Sequence, residues 1–133
     1  MVELKFYKVT GINFSNRLQN GTELKLSNQA KYNISYFGEE KRCLGKLDFR
    51  VSDESMKPFE IRVEMEAVFT YEDGDEQPDI HVSSFDQLFP FLRQIIHETT
   101  AMSGMPGLMI PLMKLDRNSV STQNNEAPAE PLN

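Results

Sequence analysis

Phe59-Glu60-Ile61-Arg62-Val63-Glu64-Met65-Glu66-Ala67-Val68-Phe69-Thr70-Tyr71 is the stretch that decides the fold. Successive side chains on a β-strand point to opposite faces, so strict alternation marks a half-buried strand. Phe59, Ile61, Val63, Met65, Ala67, Phe69 and Tyr71 share one face. Glu60, Arg62, Glu64, Glu66 and Thr70 share the other, with Val68 as the exception. Three weaker segments precede it. Leu24, Leu26, Ala30, Tyr32, Ile34 and Tyr36 share parity, as do Cys43, Leu47, Phe49 and Val51. Near the start, Leu4, Phe6, Ile12 and Phe14 share parity, but Tyr7, Val9 and Gly11 blur the pattern. Turn signals at Asn20-Gly21, Gly38-Glu39-Glu40 and Asp53-Glu54-Ser55 separate the runs. Short connections favour antiparallel pairing, because a parallel crossover needs a dozen residues or more. The expectation is a four-stranded antiparallel meander.

Beyond the strands the period changes. Glu72-Asp73-Gly74-Asp75-Glu76-Gln77-Pro78 reads as an acidic loop, with His81 in the loop before a helix. Ser84 and Gln87 have capping-box spacing. Phe85, Leu88, Phe89, Leu92, Ile95 and Ile96 recur at helical spacing, and Gly104 is a plausible stop. The pattern predicts one long helix over 85–103, with Pro90 near its start, where a missing N–H matters least. Met105 to Met113 reads as an extended apolar loop. The fold class is therefore α+β, a sheet with one long helix and a crossover loop packed on one face. Residues 1–116 form the domain, and 117–133, with Val120 and Leu132 as its large aliphatics, read as a flexible tail.

Composition narrows the function. The chain has 133 residues, 39% hydrophobic and 26% charged, as in a soluble globular domain. One cysteine, Cys43, excludes an internal disulfide, and two histidines leave little for a metal site. The net charge of −6 argues against a nonspecific nucleic-acid binder. Residues 53–79 alone carry two basic and ten acidic groups, so a −8 segment accounts for the acidity. Glu60, Glu64 and Glu66 on the decisive strand are then either a solvated face or a partner surface. No signal segment or membrane span is visible, which points to the cytoplasm. Neither histidine sits in a nucleophile arrangement, and His97 on the helix reads as structural or solvated. No Gly-rich phosphate loop and no calcium loop is present. The expectation is a binding protein without cofactor, not an enzyme.

Seven methionines and no tryptophan are the remaining oddity. Met102, Met105, Met109 and Met113 cluster at the helix end and loop. Methionine repacks around differently shaped apolar partners. Phe85, Phe89, Phe91, Met102, Met105, Leu108, Met109, Ile110 and Met113 are thus the candidate lining of an adaptable groove. The alternative is that they cap the sheet as core.

At this stretch the chain resembles the SecB protein-export chaperones. Leu88-Phe89-Pro90-Phe91 on a helix, Arg93, then Gly104-Met105-Pro106 and Leu108-Met109-Ile110-Pro111 follow the order and spacing of that family's helix, turn and apolar segment. The resemblance covers about residues 22–116. It implies a dimer of dimers that binds unfolded or precursor polypeptides in apolar grooves and hands them to the motor SecA. The alternative is an adaptor or regulator of the same fold that binds one dedicated protein partner. Departures are plain: Ser83-Ser84 replaces a Cys-Pro pair, Phe91 a tyrosine, and Met105 an aromatic residue. Arg62 stands where family members use a glutamate toward SecA. The second helix shrinks to a stub near Leu115-Asp116, and Glu126 and Glu130 alone make the tail acidic.

Overall fold

The structure is a computed structural model, and it describes residues 1–19, 21–113 and 115. Four strands form one antiparallel sheet: β1 (Glu3–Asn16), β2 (Leu26–Phe37), β3 (Arg42–Asp53) and β4 (Phe59–Thr70). Among the described residues one α-helix, α1 (Gln77–Met102), packs on one face. The expected α+β class and antiparallel sheet are what the chain forms.

The order across the sheet is β1-β4-β3-β2. Strands β2, β3 and β4 make the meander, and β1 joins on the free side of β4 rather than beside β2. The connection 17–25 therefore crosses the end of the sheet, about 14 Å at ordinary strand spacing. It is anchored on the way where the Arg17 N–H donates to the Pro58 carbonyl at 2.9 Å. The two hairpins use left-handed residues at Lys41 (φ 54°) and Met56 (φ 64°). At the second hairpin the Asp53 carboxylate accepts N–H bonds from Lys25, Ser55 and Lys57 at 3.0, 2.7 and 3.3 Å. Burial works to raise the Asp53 carboxyl, but those three donors hold it below the usual range.

The parity of β4 reads as expected: Phe59, Ile61, Val63, Met65, Ala67 and Phe69 are buried beneath the helix. β1 blurs because its register shifts twice, between Leu4 and Phe6 and between Val9 and Gly11. Each bulge adds one residue and reverses the faces. Leu4 opposes Phe69 on the helix side, whereas Phe6 opposes Val68 on the outer side. Beyond the second bulge, Ile12 and Phe14 return to the helix side, opposite Val63 and Ile61.

The helix starts eight residues before the expected position. Its N-cap is Glu76 and Pro78 lies in its first turn, where proline's lost N–H had no partner to give up. Ser84 is no cap: it is buried, accepts the Tyr32 hydroxyl at 2.7 Å and donates to the His81 carbonyl at 3.1 Å. His81 is likewise helical and buried, with its ring 5.1 Å from that of Tyr32. Gln87 reaches the opposite edge instead of capping. Its amide accepts the Leu4 N–H and donates to the Val2 carbonyl, both at 2.9 Å. Pro90 consequently sits inside the helix. The end agrees with the sequence, since Gly104 adopts φ 100° just past the last turn.

The expected tail 117–133 and the stub at Asp116 lie outside the described residues.

Candidate functional site

After Gly104 the chain doubles back along α1, and residues 105–113 form a strap. Pro106 and Pro111 keep it out of helical geometry. Thr100 ties its middle: the hydroxyl accepts the Leu108 N–H at 2.9 Å and donates to the Ile96 carbonyl at 2.8 Å. Arg93 ties the next turn, with Nε donating to the Ile110 carbonyl at 2.7 Å. Gly107 lets the strap approach, because a Cβ there would stand 2.5 Å from Nε2 of His97. These bonds hold the backbone and leave the side chains to face outward or inward. Ile110 turns in and is buried, while Met109 turns out and is 71% exposed.

Between helix and strap runs an open groove of about 440 Å3. Pro90, Arg93, Gln94 and His97 form one wall, and Leu108, Met109 and Ile110 the other. The helical residues fall three or four apart, so they share one stripe of α1. The lining combines the apolar Pro90, Leu108, Met109 and Ile110 with the polar Gln94 and His97 and the charged Arg93.

Not all expected lining residues reach it. Leu108, Met109 and Ile110 do. Phe85 and Phe89 do not: both are fully buried, stacked at 5.2 Å, with Phe89 edge-on to Phe49 at 5.8 Å. Their helix stripe faces the sheet, so within this chain they are core. Phe91 lies outside the groove, its ring 4.8 Å from Tyr7 on β1. Met102 is exposed at the helix end, and Met105 sits near β1, where Asn16 Nδ2 lies 3.6 Å from its sulfur. Met113 packs against the core. Conversely Pro90, Arg93, Gln94 and His97 were not among the expected site residues. The signal for them was there: they recur at helical spacing beside the apolar stripe.

The three glutamates of the expected acidic face do not stand alone. Glu60, Glu64 and Glu66 do line the outer face, but basic residues of neighbouring strands stand among them. Arg50 Nε lies 2.8 Å from Glu60. Arg62 grips Asp48 with two bonds, at 2.9 and 2.7 Å, and lies 3.4 Å from Glu64. That guanidinium holds the Asp48 carboxyl below its ordinary value. Lys8 and Lys46 oppose Glu66 from either side. A run that is acidic along one strand is therefore balanced across the sheet. The remaining acidic charge of the 53–79 segment lies mostly in the loop before α1, where Asp73 pairs with Lys41.

Cys43 is fully buried, and burial pushes its thiol up to about 12. Among the described residues no group of three or more His, Cys, Asp or Glu could hold a metal ion. No described helix is long and apolar enough to cross a membrane.

A twisted antiparallel sheet with one long helix and a returning strap defines a SecB-like fold, as comparison with solved structures shows. The SecB-like chaperone Rv1957 of Mycobacterium tuberculosis, solved in complex with a ChAD peptide from the Rv1956 HigA1 antitoxin, superposes with a TM-score of 0.69. The match covers 84% of this chain and 90% of that one at 10% identity. A protein of unknown function from Streptococcus agalactiae matches with a TM-score of 0.54 and 15% identity, over 84% of this chain and 98% of that one. No family model and no curated protein matches the sequence.

Proposed function

We propose that this chain is a SecB-fold chaperone that holds non-native polypeptide segments in the groove between α1 and the strap. It acts by binding alone, without catalysis or cofactor. The observation that carries the reading is the open apolar groove edged by Leu108 and the exposed Met109. Burial of client apolar surface would drive binding, at about 25 cal/mol per Å2 before ordering costs. The fold neighbour's complex with an antitoxin peptide supports a polypeptide occupant. Added to a chemically unfolded, aggregation-prone client at near-stoichiometric ratio, the protein should suppress light scattering. Met109→Asp should weaken that protection, and unchanged scattering with the wild type overturns the reading.

The alternative reading is an adaptor that uses the same groove for one dedicated protein partner. Capture from lysate separates the two: a broad population of nascent chains supports the holdase, and a single stoichiometric partner the adaptor. Delivery of precursors to SecA is the less supported extension, because the acidic face it would use is balanced by Arg50, Arg62, Lys8 and Lys46. Self-association, with a dimer of dimers as its full form, is supported by β1, a free edge with exposed apolar side chains. Fractionation of cells should place the protein in the cytoplasm.

A further inference from the structure

Among the described residues Arg93 is the one charged residue that lines the groove. Its Nε is committed to the Ile110 carbonyl, which fixes the guanidinium in the wall rather than letting it swing in solvent. Arginine carries five N–H donors in a rigid fork. Among the described residues no hydrogen bond or ion pair engages the others. Among the described residues Glu98 accepts from Gln94 at 3.1 Å, and no acidic side chain lines the groove. A half-buried, pre-positioned cation beside Leu108 and Met109 is thus left with unused donors.

We propose that the groove selects extended polypeptide segments in which an aspartate or glutamate lies beside apolar residues. This rests on the groove reading above and names the class of segment it prefers. The apolar side chains lie on Leu108 and Met109, and the carboxylate takes the open edge of the Arg93 fork. Selectivity follows from charge and shape together. A planar fork accepts a carboxylate bidentately, and because the guanidinium is already held, little side-chain entropy is lost on pairing. A lysine at the same place in the client would meet Arg93 as a like charge.

The test is fluorescence anisotropy with three labelled peptides flanked by Gly and Ser, with cores Leu-Glu-Phe-Leu, Leu-Gln-Phe-Leu and Leu-Lys-Phe-Leu. The wild-type protein should bind the Glu peptide about three- to tenfold more tightly than the Gln peptide, and the Lys peptide least. Arg93→Gln keeps an N–H for the Ile110 carbonyl but removes the charge. It should erase the preference, so that the Glu and Gln peptides bind it with equal affinity. Wild-type protein alone gives a second reading that needs no variant: the Glu preference should collapse between about 0.05 and 0.5 M salt. Equal binding of all three peptides, or a preference that survives Arg93→Gln or high salt, overturns the selectivity and leaves the groove reading standing. Binding of none of them overturns the groove reading, and the selectivity with it.

Discussion

Tyr32 shows how one side chain sets the composition of the strands around it. Its ring lies over the backbone of Gly45, where a Cβ would stand 2.5 Å from the hydroxyl oxygen and 2.9 Å from a ring carbon. In register, Gly45 lies between Ile34 and Ala67 on the helix side of the sheet. The two small residues make the depression into which the ring drops, and the hydroxyl ends on Ser84 of α1. Gly45→Ala cannot be absorbed by rotation, because Tyr32 is buried and bonded. Urea unfolding should show a loss of about 1–3 kcal/mol; a loss within error would mean that the ring moves freely. Beside it, His81 is 6% exposed, and its Nδ1 has no hydrogen-bond partner among the described residues. Burial lowers its pKa in the folded chain, whereas the unfolded chain titrates near 6.5. The unfolded state therefore binds the proton first as pH falls. Stability should be full above about pH 6.5 and decline as pH falls below it toward the folded pKa. Between about pH 6.5 and 5 carboxylates remain largely ionised, so the slope there belongs to His81. It should vanish in His81→Phe, measured as the urea midpoint against pH.

At the level of elements, the strap shows how few bonds position a binding wall. Thr100 is fully buried and is the partner of the Leu108 N–H. Thr100→Val keeps the volume and strands that N–H. The cost should be about 1 kcal/mol, concentrated in the strap. Hydrogen exchange should speed at the Leu108 amide by several-fold while amides of β3 and β4 keep their protection; uniform acceleration would mean that the bond supports the whole fold. The strap's existence was legible, since Gly104, Pro106 and Pro111 punctuate an apolar run. Its path was not, because it depends on Arg93 meeting the Ile110 carbonyl and Thr100 the Leu108 amide further along the chain. The same distinction holds for α1. Its middle is legible from the stripe of Phe85, Leu88, Leu92 and Ile96. Its first two turns, Gln77-Pro78-Asp79-Ile80-His81-Val82-Ser83-Ser84, carry proline, β-branched residues and serines and read as loop. Packing of Ile80, His81 and Ser84 against the sheet overrides that local preference. The bulges in β1 are the mirror case: hydrophobic parity was visible there, but two inserted residues changed which face it meant.

At the scale of the whole molecule, strand order explains both the balanced face and the exposed one. A sheet ordered β1-β4-β3-β2 puts the acidic row of β4 between the lysines and arginines of β1 and β3, which linear counting of charge could not show. It also makes β1 an edge. On its helix side Ile12 is 48% exposed, and on its outer side Phe6 is 59% exposed. The neighbouring Val9 and Phe91 are open as well. A free edge with apolar side chains on both faces is a surface that soluble proteins ordinarily cover. A second copy of the chain can cover it by two-fold pairing, since such an interface needs only one self-complementary patch. The expected result is an oligomer at micromolar concentration by multi-angle light scattering. Ile12→Lys places a charge at the centre of that edge without touching the buried core. It should shift the mass to that of the monomer while circular dichroism and the unfolding midpoint of the isolated fold change little. A wild-type monomer, or an Ile12→Lys protein with unchanged mass, would show that the edge remains open and that the exposed side chains of β1 serve some other contact.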